Sequence, residues 1–256
     1  NMASGSNCTG DRNLAMIYQA GYAITSGSDN IALGYRSGFD LTTGSHNICL
    51  GQNAVGNCTT GSTNIGIGNE TLGANAGSAL TGNDNVAVGT YAGRHIHTGA
   101  TKNTLIGFYA GRDLTTGGMN VFIGASASFD AGDATTCNYS ISIGEGSAVR
   151  NGSNNIAIGN NAQCESSSSN EITLGNTSIN KFRVPGISLE VTSSGVSDAK
   201  GNLRDIPANA KTAAYTLVAS DAGNVITNTT GGWTVPSSVF TIGKTITLLN
   251  NSASAQ

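Results

Sequence analysis

A short alternation of apolar and small residues recurs along most of the chain. In its clearest copy, residues 30–34, the aliphatic residues Ile31 and Leu33 flank an alanine, and a glycine follows. Ten copies occur, at first 17 residues apart and later 15 to 21 residues apart. A period of two predicts a short β-strand that buries one face, and repetition at this interval predicts a β-solenoid.

Asparagine precedes the strand in eight of the ten copies. An amide side chain at a turn can bond neighbouring backbone groups, and amides stacked from coil to coil can form a ladder. We therefore expect a structural ladder made of Asn30, Asn47, Asn64, Asn85, Asn103, Asn120 and Asn155.

The second half of each repeat has its own pattern. A small residue lies three positions after the glycine, as Ala54 does, and an apolar residue lies seven positions after it, as Leu41 does. A Thr-Gly pair such as Thr43-Gly44 then closes most coils. This pattern predicts two short strands and two turns in every coil.

A coil of this length can bury only a few large side chains. Apolar burial contributes about 25 cal/mol per Å², so a single stack of such coils would have a thin core. The column of small residues also indicates crowded backbone. We therefore expect further burial against other copies of the chain, in a parallel homotrimer.

The Asn-Ile-Ala-Ile-Gly repeat at residues 155–159 resembles the head repeats of trimeric autotransporter adhesins. It is also similar to repeats in the tail-fibre proteins of tailed phages, notably cyanophage-like ones. The resemblance covers roughly residues 10–176. It implies an all-β, trimeric, left-handed parallel β-roll of 15–21-residue coils, followed by a β neck and the start of a C-terminal β-module.

The period stops after Gly175, so the pattern predicts three regions: the repeat roll at 1–176, a neck with connector at 177–210, and a β-module at 211–256. In the neck, Phe182, Val184 and Ile187 alternate with polar residues around a Pro-Gly turn, which is similar to a junction found in phage tail fibres. Residues 193–210 read as a polar connector. The final β-module reads as incomplete, and we expect the chain to be part of a longer polypeptide.

Composition narrows the function classes. Only 11% of residues are charged and the net charge is −3, so no basic patch for nucleic acid is indicated. No apolar run reaches the length of a membrane span, and no membrane insertion is expected. The regular period argues against disorder despite the polar composition.

The sequence predicts neither catalysis nor a cofactor. The 15 acidic residues are scattered, whereas glycoside hydrolysis needs two carboxylates facing one cleft. His95 and His97 flank Ile96, which period two turns inward, so both histidines are expected to face outward with solvent-type neighbours such as Asp113. The five cysteines fit no zinc or redox spacing and are read as small hydrophobes, with disulfides in an extracellular fibre as the alternative.

Two places carry distinctive side chains and form a candidate receptor patch. Tyr91, Arg94, Tyr109 and Arg112 recur at matching positions of neighbouring coils, and Trp233 lies in the C-terminal module. Aromatic and arginine side chains hold partners by stacking and forked hydrogen bonds. We expect recognition chiefly in the module that starts near Lys211.

The resemblance implies a homotrimeric phage tail fibre that attaches a virion to a host-cell receptor. Its implied partners are itself, other tail or baseplate proteins, and a host glycan or outer-membrane protein. Its implied place is the virion tail fibre, after assembly in the host cytoplasm. The alternatives are the head of a bacterial trimeric adhesin, a virion decoration fibre and an enzymatic tailspike.

Overall fold

The computed structural model describes residues 8–73, 79–129, 136–184, 189–192, 195–198, 201–202, 208–211, 213–222, 224–228, 233–237, 244 and 246–250. The chain divides into two compact units, Asn1–Ser178 and Ile179–Gln256. The repeat lengthens at residues 73–79 and 130–137, which predicts inserted loops there, and both segments lie largely outside the described residues, as does most of residues 1–12.

The first unit is a stack of ten coils, each contributing one three-residue strand to a single parallel sheet whose order follows the chain. Partners in neighbouring strands occupy equivalent repeat positions, as Ile31 and Ile48 do. The predicted all-β parallel solenoid is therefore confirmed. Its strands are β1 (Leu14–Met16), β2 (Ile31–Leu33), β3 (Ile48–Leu50), β4 (Ile65–Ile67), β5 (Val86–Val88), β6 (Thr104–Ile106), β7 (Val121–Ile123), β8 (Ile141–Ile143), β9 (Ile156–Ile158) and β10 (Ile172–Leu174).

The central residue of each strand faces the inside of the coil. Ala32 is fully buried, whereas Ile31 and Leu33 on either side of it are only half-buried. The buried face is thus made of small central residues, and the large aliphatic pair lies on the outside of the chain. The narrow interior of a coil explains this arrangement, because it leaves room for Ala, Cys or Gly at most of these positions.

The second half of the coil contains turns where a second strand was predicted. Only the isolated bridges Cys58–Leu80 and Ala148–Gln163 occur in the described part of this region. Backbone bonds still join the coils here: Gly38 N–H donates to Ala54 O, and Asp40 N–H donates to Gly56 O, both at 2.9 Å. The strand prediction was wrong because the third residue after each of strands β1–β9 has left-handed backbone, with φ of 53° at Arg36 and 62° at Tyr91.

Glycine after the strand is required by both conformation and space. Gly34 has φ 139°, a region that side chains rarely adopt, and a Cβ there would collide with the carbonyl of Gly51 in the next coil. The first coil has Ile17 instead, at φ 84°. Left-handed backbone costs a non-glycine residue about 1–2 kcal/mol, so the glycine column favours this turn.

The interior is filled by complementary volumes. The strand centre and the fifth residue after the strand both project into it. Phe122 and Leu105 are large strand centres, and they pack where Gly111 leaves room: a Cβ on Gly111 would lie 2.9 Å from the Phe122 ring and 2.8 Å from Leu105. Conversely, Gly66 is the smallest strand centre, and the buried Val55 packs against it.

The second unit contains strands in three small sheets. The neck alternation forms an antiparallel hairpin of β11 (Lys181–Val184) and β12 (Leu189–Thr192), and its Pro-Gly turn lies outside the described residues. The segment predicted as a polar connector instead contributes β13 (Gly195–Asp198), β14 (Gly201–Asn202) and β15 (Ala208–Lys211). Polar composition concealed these strands. The remaining strands are β16 (Tyr215–Thr216), β17 (Val225–Asn228), β18 (Trp233–Thr234) and β19 (Thr247–Asn250).

Volume complementarity inside the roll can be tested at Gly66. A Cβ there would lie 2.5 Å from Val55 Cγ2 and 2.8 Å from Thr71 Oγ1, so we expect Gly66→Ala to lower the free energy of unfolding by about 1–3 kcal/mol. The double variant Val55→Gly/Gly66→Ala should be more stable than the sum of its parts, because it recreates the pairing of Ala32 with Gly38. Thermal and denaturant unfolding measure both effects, and simple additivity would contradict the packing argument.

Candidate functional site

The outer strand face is an apolar surface formed by the first and third residues of strands β1–β10. Nineteen of its twenty positions are aliphatic or methionine, and Thr104 is the exception. Several are well exposed, including Met16 at 51%, Ile106 at 39% and Leu174 at 48%. With strands about 4.8 Å apart, this face is roughly 45 Å long. A contiguous apolar face of this length is typical of an interaction surface.

The asparagines before the strands form one hydrogen-bonded column. Asn30 shows the pattern: its backbone N–H and its Nδ2 both donate to Asn13 Oδ1 at 3.0 Å, and Nδ2 also donates to Gly44 O at 2.9 Å. The amide thus joins two adjacent coils to the closing turn. At the other predicted ladder positions the backbone N–H donates to the side-chain oxygen one coil earlier, which belongs to serine only in the case of Asn155, and Nδ2 donates to a carbonyl of the closing turn. These residues are all fully buried: Asn47, Asn64, Asn85, Asn103, Asn120 and Asn155.

Serine and glutamate interrupt the asparagine column near its end. The backbone N–H of Ser140 donates to Asn120 Oδ1 at 3.0 Å, and Ser140 Oγ accepts from the backbone N–H of Asn155 at 3.2 Å. The last position is Glu171, whose carboxylate accepts from Ser168 Oγ and Thr173 Oγ1. These bonds, led by the one from Ser168, lower the pKa of Glu171.

The structure brings the two tyrosines and the two arginines of the candidate patch together on coils five and six. Tyr91 and Tyr109 stack with their ring centroids 5.0 Å apart and their planes 16° apart. The Arg94 guanidinium lies 4.9 Å above the Tyr91 ring, and that of Arg112 lies 5.3 Å above Tyr109. The stacked rings cover each other's faces and leave mainly their edges to a ligand.

Sequence reasoning missed two aromatic members of this patch. Phe108 packs edge-on against Tyr109 at 4.1 Å and is 49% exposed. The ring centroids of Phe129 and Tyr109 lie 5.0 Å apart, and the guanidinium carbon of Arg112 lies 4.3 Å from the centroid of the Phe129 ring. Their repeat positions, one and five residues after the glycine, could have identified them, since the aromatic residues Tyr35 and Phe39 occupy the same two positions in the second coil.

Each arginine of the patch has an acidic partner. Arg94 Nη2 lies 2.7 Å from Glu70 Oε2, and Arg112 Nε lies 3.0 Å from Asp113 Oδ1. The Asp113 carboxylate, expected in solvent, is instead buried and also lies 2.8 Å from His95 Nδ1. That expectation was wrong because Arg112 and His95 cover the carboxylate from two coils. The patch therefore has little net charge.

Coils one and two carry a second aromatic group that sequence reasoning did not single out. Tyr18 stacks on Tyr35 with the ring centroids 5.8 Å apart, and Tyr22 stacks on Phe39 with the centroids 5.3 Å apart. The guanidinium carbon of Arg36 lies 4.0 Å from the centroid of the Phe39 ring. Tyr18 is 67% exposed. The regular 17-residue spacing of these pairs was the available signal.

The turn before each strand is exposed and carries charges on the first coils. Arg12 Nη2 donates to Asp29 Oδ2 at 2.7 Å, and His46 Nε2 lies 3.6 Å from the same carboxylate oxygen. The hydrogen bond from Arg12 is the main cause of a lowered pKa at Asp29. The His46 side chain is 64% exposed, as its place in the turn predicts.

Trp233 belongs to the second unit. It begins β18 and pairs with Tyr215 of β16 in a parallel bridge. Lys211 Nζ lies 4.0 Å from the centre of the Tyr215 ring. The indole Nε1 of the half-buried Trp233 is shielded and has no hydrogen-bond partner among the described residues.

The described residues contain no group of three His, Cys, Asp or Glu side chains that could hold a metal ion. Ile96 is buried and turns inward, as predicted. The five cysteines form no disulfide within the part of the chain that the structure describes, and four of them are buried. Burial raises the pKa of Cys58 and of Cys137 to about 12.

Within the part of the chain that the structure describes, no helix has the length and apolarity to cross a membrane.

A scan against protein-family models, a search of curated proteins and a search of solved structures found no match to this chain.

The contribution of the asparagine column can be measured at Asn64. Asn64→Leu leaves the Gly82 carbonyl and the Asn85 backbone N–H without the amide that now bonds both. An orphaned buried group costs about 1–3 kcal/mol, so unfolding should require markedly less denaturant. Adding Asn47→Leu and Asn85→Leu should lower stability further or block assembly.

Asn64→Ser is the matched control, because Ser140 already occupies one position of the column. It should lose less stability than Asn64→Leu. An unchanged melting temperature for the leucine variants would show that the column does not stabilise the fold.

Proposed function

We propose that the chain is a homotrimeric attachment fibre in which three copies pack their outer strand faces around a common axis. The observation that carries this proposal is the outer strand face itself. A single chain leaves the aliphatic side chains of this face partly exposed over ten consecutive strands, and copies arranged in parallel would bury them. The narrow interior is already filled by the strand centres and by buried residues of the second half of the coil, such as Leu41 and Ile96, so it has no room for them.

Identical copies are the partners that suit this face. It has nearly the same composition along its whole length, and only a surface with the same repeat can match it over ten coils. A three-fold arrangement would produce a left-handed β-roll with a shared apolar core. A trimer is favoured over a dimer by the resemblance of the repeat to trimeric fibre proteins.

The proposed fibre is a rigid virion component of a tailed phage, and it attaches the particle to a host-cell surface. The parallel stack supports rigidity, since every coil is hydrogen-bonded to the next. The resemblance supports attachment, with tail or baseplate proteins at one end and a host glycan or outer-membrane protein as receptor. No catalytic step is included. The alternative within the same class is the head of a bacterial trimeric adhesin, which would be followed by a coiled-coil stalk.

Recognition is assigned first to the second unit and second to the aromatic–arginine patch. Stacking of Tyr91 on Tyr109, together with the paired charges of Arg94 and Arg112, stabilises the roll and leaves few groups for a ligand. Trp233, Tyr215 and Lys211 form a distinct aromatic and basic group in the second unit. Loops on a rigid scaffold commonly carry recognition.

Trimer formation through the outer strand face can be tested with Ile67→Glu/Ile106→Glu. Both side chains lie on the outside of the single chain, so the coils should fold unchanged. Burying two glutamates per chain at the axis is costly, and we expect loss of the trimer. Sedimentation equilibrium gives the mass, and circular dichroism checks the fold.

The control is Thr43→Glu, at an exposed position outside the strands. It should remain trimeric. A wild-type chain that sediments as a monomer would sink the proposed assembly.

The division of roles can be tested by binding to a panel of bacterial cells. Fluorescent full-length chain should label some strains, and Trp233→Ala should reduce that labelling more than Tyr91→Ala/Tyr109→Ala does. Equal trimer content of the variants is checked by sedimentation. A greater loss in the tyrosine variant would move recognition to the roll, and a panel with no labelled strain would argue against attachment.

A further inference from the structure

Two columns of side chains border the outer strand face. The leading column is the second residue before each strand, and the trailing column is the second and third residues after it. Unlike the outer strand face, both columns change from coil to coil. The leading column reads Arg12, Asp29, His46, Thr63, Asp84, Lys102, Met119, Tyr139, Asn154 and Asn170. The trailing column reads Tyr18-Gln19, Tyr35-Arg36, Gln52-Asn53, Asn69-Glu70, Thr90-Tyr91, Phe108-Tyr109, Ala125-Ser126, Glu145-Gly146 and Asn160-Asn161.

The outer strand face cannot by itself fix how far one copy lies along another. Its positions are isoleucine, valine or leucine in almost every coil. Sliding one copy by a single coil therefore places aliphatic side chains on aliphatic side chains again. A specific trimer needs a feature that changes along the axis, because specificity requires a cost for the wrong arrangements.

Rotational symmetry determines which columns meet. Rotation about a three-fold axis carries all strands round that axis in the same sense. The end of a strand in one copy then approaches the start of a strand in its neighbour, which makes the contact heterologous. The trailing column of one copy therefore faces the leading column of the next.

The two columns are complementary when the copies are level. Asp29 faces Tyr35 and Arg36, which pairs a carboxylate with a guanidinium. Lys102 faces Phe108 and Tyr109, and Arg12 faces Tyr18, which place cations against aromatic rings. These side chains are exposed or half-buried in the single chain. Level copies bring no two like charges together.

The complementarity continues through the later coils. Met119 meets Ala125, so the apolar side chain of this column meets a small apolar one. Tyr139, which is 62% exposed, meets Glu145, and a phenol can donate to a carboxylate. Asn154 meets Asn160 and Asn161, where amides can bond each other.

A shift by one coil removes this match in either direction. When the leading column of one copy meets the trailing column one coil later in its neighbour, Arg12 faces Arg36, and Lys102 faces Ala125 and Ser126. When it meets the trailing column one coil earlier, Asp84 faces Asn69 and Glu70. Each shift brings like charges together at the rim of an apolar interface, where repulsion discriminates between registers.

We propose that the leading and trailing columns set the axial register of the trimer, with Asp29 of one copy paired to Arg36 of the next. This inference depends on the trimer of the proposed function. The Asp29 carboxylate already accepts from Arg12 within its own chain, and its two oxygens can accept from a second guanidinium as well. The aromatic support under Arg36 fixes the direction of its guanidinium.

Pairs of introduced cysteines test this register directly. Asp29→Cys/Arg36→Cys should form disulfides between level copies. Asp29→Cys/Asn53→Cys and His46→Cys/Arg36→Cys report shifts by one coil in the two directions. All four backbone positions are left-handed, with φ between 52° and 62°, so the pairs are matched in strain.

Disulfides at these pairs have to join different chains. A disulfide needs Cα atoms within about 7 Å, and the three-residue strand between positions 29 and 36 alone spans about 10 Å. Cys8 is replaced by serine in every variant, because it is the half-buried native thiol. The other four native thiols are buried inside the coils and are poor competitors.

Mild oxidation followed by non-reducing denaturing electrophoresis shows the result. We expect the level pair to convert most of the chain to a covalent trimer, and both shifted pairs to remain monomeric on the gel. The proposed register would be wrong if a shifted pair formed covalent trimers. It would also be wrong if none of the three pairs formed them. Sedimentation before oxidation separates this outcome from failure of the proposed function, in which no trimer would be present.

Charge exchange gives a second, independent measurement. Asp29→Arg and Arg36→Asp should each lower the melting temperature of the trimer. The double variant Asp29→Arg/Arg36→Asp should recover part of that loss, since the pair is restored with opposite polarity. If the double variant loses as much melting temperature as the two single variants together, the two positions are not in contact.

Discussion

The buried amide ladder is the interaction on which the roll depends. Each asparagine from Asn30 onward bonds the closing turn of its own coil and a backbone N–H at the start of the next strand, and its side chain is fully buried. A buried amide makes these bonds only when neighbouring coils are aligned residue for residue. The ladder thus converts a sequence repeat into straight columns. The stacked tyrosines, the paired charges and the apolar face all follow from that alignment.

Because the coils are aligned, the interior volume of each coil is nearly fixed. A larger side chain at one interior position is therefore matched by a smaller one at the facing position. Where the strand centre grows to Leu105 or Phe122, glycine stands opposite, and where it shrinks to Gly66, Val55 and Thr71 fill the space. Val55 accepts left-handed backbone to do so, at φ 53°. The aliphatic pairs of the strands have no place inside. Their position on the surface is therefore a consequence of the narrow coil.

Much of this arrangement could be predicted from the repeat. The strands, their parallel stacking, the asparagine column and the inward turn of Ile96 all follow from spacing and period. The direction of the aliphatic pair could not, because period two distinguishes two faces without saying which is inside. The second predicted strand failed because left-handed backbone at residues such as Arg36 and Tyr91 has no simple sequence signal outside glycine and asparagine. Burial of Asp113 depends on Arg112 and His95 covering it together, which needs three dimensions. In the second unit the period is lost, and the strands between 195 and 211 were hidden by polar composition.

The surface of the roll separates into parts that repeat and parts that vary, and this separation would have a physical consequence for the proposed trimer. An invariant apolar face supplies affinity without specificity, because any coil fits any other. Variable borders supply specificity with little affinity, because exposed charge pairs each contribute little. Over ten coils the small differences accumulate in one register only, while a shifted register collects mismatches. A repeat protein can therefore keep a uniform face at its axis and still assemble in a single register, provided that its borders are allowed to diverge.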